Sequence, residues 1–559
     1  MTTALVRFKK AIAHQLSKHT LWSSEEIMSF MRPHKHLKEG HIAIALPKLN
    51  TTQDIVSQFQ TDDYIEEIQA HHSKLVFRFH QVEFIKQVLH QVYQDKSDYG
   101  WAHQPKQHQT VVIDYSSPNI AKPFHAGHLR STILGHFAAR IHQAFGYQVI
   151  GINYLGDWGK QYGLLAVGFD KYGDEEQLAL DPIHHLYQVY VKINAEAKEN
   201  PDIDRQANAY FKRMEEGDPE SIKQWQQFRD MSIASYKEIY RRLGIKFDVY
   251  SGESQVNPFI AQAHQLLQQN QLLTQTTDGA WTVDLEPYQL GKVIVQRADG
   301  TSLYVTRDLA SILMRQQTYG FQKALYVVGS EQAKYFSQLF KTANLMSPLP
   351  MDLQHIEFGR IQGMSTRQGT AVFLQDILDT AKAKIMEYMQ NDEKKSQIKD
   401  LETIADQLGI SAILIQDMKS KRAKDYKFSW DRMTDARGDT GVFLQYAHAK
   451  ACGIERKSNV VVTSDVDYAL LKEKEAVELV YSIAQFPEMV ESALATLEPC
   501  TIVNYLFKLS HATSLASRSL RVKDMNPEIA KVRMLLFWSA RMTLSNGLHL
   551  LGIKPIQHM

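Results

Sequence analysis

Two histidines three residues apart, His125 and His128, flank Ala126 and Gly127 at the end of Ser117-Pro118-Asn119-Ile120-Ala121-Lys122-Pro123-Phe124. Upstream, Val111-Val112-Ile113 has strand preference. Downstream, Leu129, Ile133, Phe137, Ile141 and Phe145 recur at helical spacing until Gly146 stops the run. The histidines therefore stand at a helix entrance. Unpaired N–H groups and a partial positive charge there suit a polyphosphate. Gly127 lets adenine or ribose lie against bare backbone. The imidazoles supply donors that can follow charge as it grows on the α-phosphate and the departing pyrophosphate. Ordinary polar loop residues could carry the same letters; the strand before and the helix after favour an ATP site.

The elements around this stretch extend the argument. Tyr147 to Tyr154 is a second apolar strand, so the unit is strand, loop, helix, strand, which implies a parallel pair with a right-handed crossover. A chain of 559 residues needs two to four cores. Residues 1–108 alternate helical stripes with short strands such as Ile42 to Leu46 and Leu75 to Phe79, and end in a polar, Gln- and Lys-containing linker from Ala102 to Gln109. Residues 109–395 mix strands and helices, with a mostly helical insertion at about 175–250. Residues 396–559 read as almost wholly helical. Lys plus Arg is 63 against 62 acidic residues, so the overall balance announces no polyanion, and an RNA surface would need local segregation of charge. Two distant cysteines, Cys452 and Cys500, support neither a disulfide framework nor a thiolate zinc site, and a reducing compartment fits. No stretch is long and apolar enough to span a membrane, so no membrane partner is expected. The first acid appears only at Glu25, and Leu5, Phe8, Ile12 and Leu16 share one helical face. That face reads either as an organelle-import helix or as a stripe packed into an N-terminal domain.

Six segments, SPNIAKPFHAGHLRST, NYLGDWGKQYG, DGTSLYVTRDLA, QGMSTRQGT, SAILIQDMK and GDTGVFLQYAHAK, occur in this order. With them the chain resembles the class I aminoacyl-tRNA synthetases, and closely their arginyl members. The resemblance implies an α/β fold: a Rossmann-like parallel-sheet catalytic domain, an N-terminal α+β domain against the outer corner of tRNA, and a C-terminal all-α anticodon-binding domain. It implies ATP-dependent ligation of L-arginine to tRNA(Arg) through an arginyl-adenylate. Mg²⁺ would be delivered with ATP, with no metal site of the protein's own. The 175–250 insertion would support the acceptor end of tRNA. The C-terminal GLHLLGIKPIQHM resembles the family's terminal segment, as a complete chain would.

The resemblance also implies site residues. His125, Gly127, His128 and Lys122 belong to the first ATP signature; the second reads Gly363-Met364-Ser365-Thr366-Arg367, with Thr366 where a lysine is usual. Lys122 then takes over phosphate neutralisation, and Met364, Ser365 and Arg367 also face ATP. Selecting arginine over lysine needs a carboxylate that can pair bidentately with a guanidinium. The family pattern makes this Asp308, aided by Tyr304 at a strand end and by Gln332. An acid in the first turn of a helix capped by Thr306 would also occur for reasons of helix dipole alone. Asp114, Ser117 and Asn119 would hold the substrate's ammonium and carboxylate, the ammonium pairing with Asp114. Asn153 and Asp157 border the site or form a plain turn. Tyr446, His448 and Lys450 are the expected tRNA contacts; the basic run Lys419 to Lys427 is either another contact or a solvated face. Adenylate formation is expected to require tRNA. A monomer in the cytoplasm is expected, with the mitochondrial matrix as the alternative compartment.

Two other classes share parts of this pattern. A nucleotidyltransferase that adenylates a small metabolite would lack the long helical C-terminal region, and a non-catalytic RNA-binding paralogue would have no reason to retain His125, His128, Lys122 and Asp308. A cysteinyl enzyme would want zinc thiolates. Glutamyl or glutaminyl enzymes would want a basic side-chain pocket.

Overall fold

The computed structural model describes residues 2–34, 37–49, 55–120, 124, 126–300, 303–348, 350–362, 373–391, 400–430 and 438–559. Helix α1 (Ala4–Leu16) buries Leu5, Phe8, Ile12 and Leu16, so its apolar stripe is a packing face of the N-terminal domain. It lies with α2 (Gln81–Asp95) on an antiparallel sheet of β1 (Arg32–Pro33), β2 (Ile42–Ala45), β3 (Ile65–His71) and β4 (Lys74–Phe79), in the order β1-β2-β4-β3.

The central sheet begins with β5 (Thr110–Asp114). Helix α3 (Ala126–Ala144) follows, and β6 (Gln148–Leu155) returns parallel to β5, pairing Thr110 with Gln148 through Asp114 with Ile152. Gly146, at φ 82°, makes the left-handed turn that ends this helix. Five helices then leave the sheet, the last and longest being α4 (Pro219–Arg242). Three of the five start with proline behind a side-chain cap: Asp181, Asn200 and Asp218 accept from His184, Asp202 and Ser221 backbone N–H groups. The insertion closes onto β7 (Val249–Gly252), the edge strand beside β6.

An antiparallel ladder, β8 (Leu273–Gln275), β9 (Trp281–Asp284) and β10 (Lys292–Gln296), comes next and is absent from the sequence reading. Helix α5 (Tyr304–Tyr319), β11 (Lys323–Tyr326), α6 (Ala333–Met346) and β12 (Asp352–His355) complete a five-stranded parallel sheet ordered β12-β11-β5-β6-β7. Val111, Val112, Ile113, Ala324 and Leu325 are buried in its two centre strands, as expected of a sheet covered on both faces. Short β13 (Ile361–Gln362) pairs in parallel with β14 (Tyr426–Lys427), which follows α7 (Leu374–Gln390) and α8 (Leu401–Met418). The remainder is helical, including α9 (Gly441–Ser458), α10 (Pro499–Ser519) and α11 (Pro527–Leu550).

Candidate active site

Open parallel sheets bind ligands beyond the carboxyl ends of their strands, where the chain turns to opposite faces. Here the ends of β5, β6, β7 and β11 converge. At the end of β5, Ser116 and Ser117 both have positive φ, 70° and 46°, a conformation that costs a non-glycine residue energy and persists only when its surroundings enforce it. They do: Ser131 Oγ accepts from Ser116 N–H at 2.9 Å, Thr132 Oγ1 donates to Ser116 Oγ at 2.7 Å, and Ser116 Oγ meets the Tyr240 hydroxyl of α4 at 2.6 Å. Both partners on α3 come from the HLRST part of the first signature. The same helix that offers its N-terminus therefore fixes the turn in front of it. Gly127 and His128 lie in the first turn of α3, with the His128 ring 5.4 Å from that of Phe124. His125, Lys122, Met364, Ser365, Thr366 and Arg367 lie outside the described residues.

The expected amino-acid ligands separate into three groups. Asn119 and Tyr304 line one cleft of about 550 Å³ together with Glu253, Arg297 and Arg307. Tyr304 is 77% exposed and begins α5; it does not end a strand. Gly156 is required opposite Asn119, since a Cβ there would sit 1.8 Å from Asn119 Oδ1.

The second group lies behind the cleft. Asp308 accepts a hydrogen bond from the Tyr335 hydroxyl, and burial lifts its carboxyl to about 6 against the opposing pull of that bond and of Arg315. Asp308 occupies the second turn of α5, because the helix starts at Tyr304 with Leu303 as its cap residue; Thr306 is no cap and donates to Val295 C=O instead. The dipole explanation for an acid at this position thereby loses its basis. Asp114 is also in this group, but both of its oxygens are engaged, Oδ2 by Arg315 Nη2 and Oδ1 by Ser117 Oγ, each at 2.6 Å. The expected partner of the substrate ammonium, Asp114, thus already carries one donor on each oxygen from within the protein. The Ser117 hydroxyl further accepts from Tyr154 N–H at 3.2 Å.

The third group is not in the cleft. Asn153 is fully buried and donates to the Tyr240 hydroxyl at 3.2 Å. Asp157 is neither a site border nor a plain turn: it is fully buried, takes Arg229 Nε of α4 at 2.7 Å, and accepts from Ser254 N–H and Oγ at 2.9 Å. It clamps the insertion onto the sheet edge. Gln332 ends an exposed single turn, Ser330–Gln332, and is not among the cleft's lining residues.

Sequence reasoning missed Glu253, Arg315 and Tyr335. Glu253 follows the carboxyl end of β7 directly, so the strand-end rule could have found it once β7 was recognised. Arg315 had no such signal, because a lone arginine on an amphipathic helix reads as solvated.

In the helical domain, Tyr446 (46% exposed) and Lys450 line a groove of about 550 Å³ with Arg456, Lys457, Arg521 and Lys523. Burial first, and then the nearby Arg518, pull the Lys450 ammonium below its ordinary range. His448 is corrected: it is 2% exposed, its Nδ1 bonds Ile556 C=O at 2.9 Å, and burial lowers it to about 4, so it is a neutral packing residue out of reach of RNA. The Lys419 to Lys427 run is partly structural, since Arg422 Nη1 donates to Glu357 C=O at 2.7 Å and Asp425 accepts from Arg360 N–H at 2.6 Å.

Comparison with known proteins agrees with this layout. The model for the class I (R) tRNA synthetase catalytic domain matches residues 88–430, and that for the DALR anticodon binding domain matches 444–559. The probable cytoplasmic arginine–tRNA ligase of Dictyostelium discoideum is 43% identical, over 99% of this chain and 100% of that one. The cytoplasmic and mitochondrial arginine–tRNA ligases of Saccharomyces cerevisiae are 42% and 41% identical, over 98% and 95% of this chain and 94% and 86% of their own lengths. The Thermus thermophilus arginyl-tRNA synthetase structure shares the fold with a TM-score of 0.82 at 21% identity, covering 99% of both chains.

Proposed function

From the premise that this chain belongs to the class I arginyl-tRNA synthetases, we propose that it ligates L-arginine to tRNA(Arg), with its labour divided among the groups above. The arginine carboxylate attacks the α-phosphorus of ATP and displaces pyrophosphate; the 3′-terminal ribose hydroxyl of tRNA then attacks the adenylate carbonyl and releases AMP. The N-terminus of α3, with His125 and His128, receives the phosphates, and Lys122, Met364, Ser365 and Arg367 complete the nucleotide site. Mg²⁺ travels on the polyphosphate. Asn119 and Ser117 hold the α-amino acid end, with Asp114 acting through Ser117. Tyr304, Asp308 and Glu253 face the guanidinium.

The observation that carries this assignment is Asp308, a half-buried carboxylate oriented by Tyr335 and lying one turn along α5 from Tyr304, in whose cleft Glu253 is a second acid. A charge-assisted hydrogen bond is worth about 1.5–3 kcal/mol. Asp308→Asn is therefore expected to raise the arginine KM at least about tenfold and to leave the ATP KM within about twofold. Equal changes in both constants would remove Asp308 from specificity. Pyrophosphate exchange across all amino acids, with and without total tRNA, tests the whole reading: exchange should be confined to arginine and should depend on tRNA.

Tyr446 and Lys450 contact the tRNA in the basic groove, and the N-terminal domain lies against its outer corner. We assign the chain to the cytoplasm as a monomer; the buried stripe of α1 supports its packing role over an import role.

A further inference from the structure

Arg315 lies two turns beyond Asp308 on the same face of α5 and is 1% exposed. Its guanidinium carbon sits 5.0 Å from the centre of the Tyr154 ring and 5.4 Å from that of Tyr326, between β6 and β11, with Nη2 on Asp114. Taking such a cation out of water is costly unless its charge is answered in place. Here it is answered by Asp114, which leaves Asp308 to be answered by something else. We propose that Arg315 is a positioning residue for arginine selection: by occupying Asp114 it spares two neighbouring carboxylates from competing for a proton and holds Asp308 charged for the substrate guanidinium. The inference rests on the assignment of Asp308 to the substrate side chain.

The charges that face Asp308 support it. From its own helix Arg315 favours the ionised form, from α6 the Tyr335 hydroxyl does the same, and from the end of β5 Asp114 opposes it. Tyr154, on β6, is held protonated by burial and then by Asp308, with Glu253 and Asp114 adding to this and Arg315 opposing it. Replacing Arg315 by an uncharged residue would turn Asp114 from a paired neighbour into an unpaired like charge, and like charges at close range push one partner's titration upward.

The test is tRNA-supported pyrophosphate exchange by the full chain between pH 5.5 and 8.5 for wild type, Arg315→Met, Asp114→Asn/Arg315→Met and Asp308→Asn. In Arg315→Met the acid limb of kcat/KM for arginine should move up by about one pH unit, a roughly threefold loss at pH 6.5 that approaches tenfold at pH 5.5 and recovers by pH 8.5, with the ATP KM within about twofold. The double variant, which removes the competing carboxylate together with the cation, should return the limb to its wild-type position; it also reads the idea if Arg315→Met alone does not fold. An unmoved limb in Arg315→Met, a loss independent of pH, or a limb in the double variant that stays where the single variant put it would overturn the proposal. If Asp308→Asn leaves the arginine KM unchanged, the assignment of Asp308 falls first, and that result is distinct from an Arg315 variant without effect.

Discussion

Burial decides the charge of several side chains in this protein, and the consequences run in opposite directions. His41, His142 and His448 are pushed down to about 4 and His136 to about 3, in each case chiefly because burial disfavours the imidazolium. An unfolded chain binds a proton at each of these positions near pH 6.5 and the folded chain does not, so their contribution to stability is complete above 6.5 and is lost as pH falls toward 4. Each costs about 1.4 kcal/mol per pH unit within that window. Asp308 and Asp417 are raised to about 6, and because the folded chain holds their protons more tightly they act with the opposite sign between about 6 and 3.8. Four histidines outweigh two carboxyls. The melting temperature should therefore fall steadily from pH 7 to pH 5, and His448→Gln, which keeps a neutral donor and acceptor, should flatten that slope. A slope identical in the variant would mean that His448 is already exposed to protons in the folded state.

At the scale of elements, the SAILIQDMK motif gains a purpose from α3. Arg130, one turn in from the N-terminus of that helix, is fully buried. It donates to Gly359 C=O and, at 2.9 Å, to Lys424 C=O, its Nε lies 3.5 Å from Asp417 at the end of α8, and Tyr426 donates to the same Asp417 oxygen at 2.9 Å. One guanidinium thus ties α3 to α8 and to the segments flanking β13 and β14. Removing one partner of a buried pair strands the other, so Arg130→Met should destabilise the chain by about 3–5 kcal/mol, while Arg130→Met/Asp417→Leu should recover part of that. Denaturant unfolding checks both, and a single variant within 1 kcal/mol of wild type would refute the tie. The elements themselves were largely legible in the sequence: β5, α3 and β6 announce themselves by periodicity and by Gly146, and α1 by its stripe. The site was less so. The start of α5 was misread because Thr306 looks like a cap while its hydroxyl serves β10, which moved Asp308 by a turn. The β8–β10 ladder was missed although Gly279 and Gly291 punctuate it, and Arg315 and Asp157 were opaque because only the fold supplies the partners that make a buried charge tolerable.

Across the whole molecule, α4 is the longest connector between the two ends of the chemistry. Its middle holds Asp157 through Arg229 and the first signature through Tyr240, while at its C-terminal end Arg242 takes Asp406 on α8 and Asp379 on α7, both at 2.6 Å. The helix that carries Tyr240 and Arg229 is thus also tied to α7 and α8, and the basic groove lies farther along the chain, between α9 and the segment after α10. With a formal net charge of only +1, the molecule has no global attraction for RNA, so the attraction must be concentrated in such places. Arg521 and Lys523 are exposed there and hold no place in the catalytic cleft. If each neutralises one phosphate of a single-stranded loop, the logarithmic salt slope of kcat/KM for tRNA should fall by roughly 0.7 per residue removed. Arg521→Ala/Lys523→Ala should accordingly lower that slope by about 1.4, reduce kcat/KM for tRNA by about tenfold or more at low salt, and leave the KM values for arginine and ATP at saturating tRNA unchanged. A full loss of affinity with an unaltered salt slope would instead point to a disturbed fold, and an unaltered affinity would place the tRNA on another face of the helical domain.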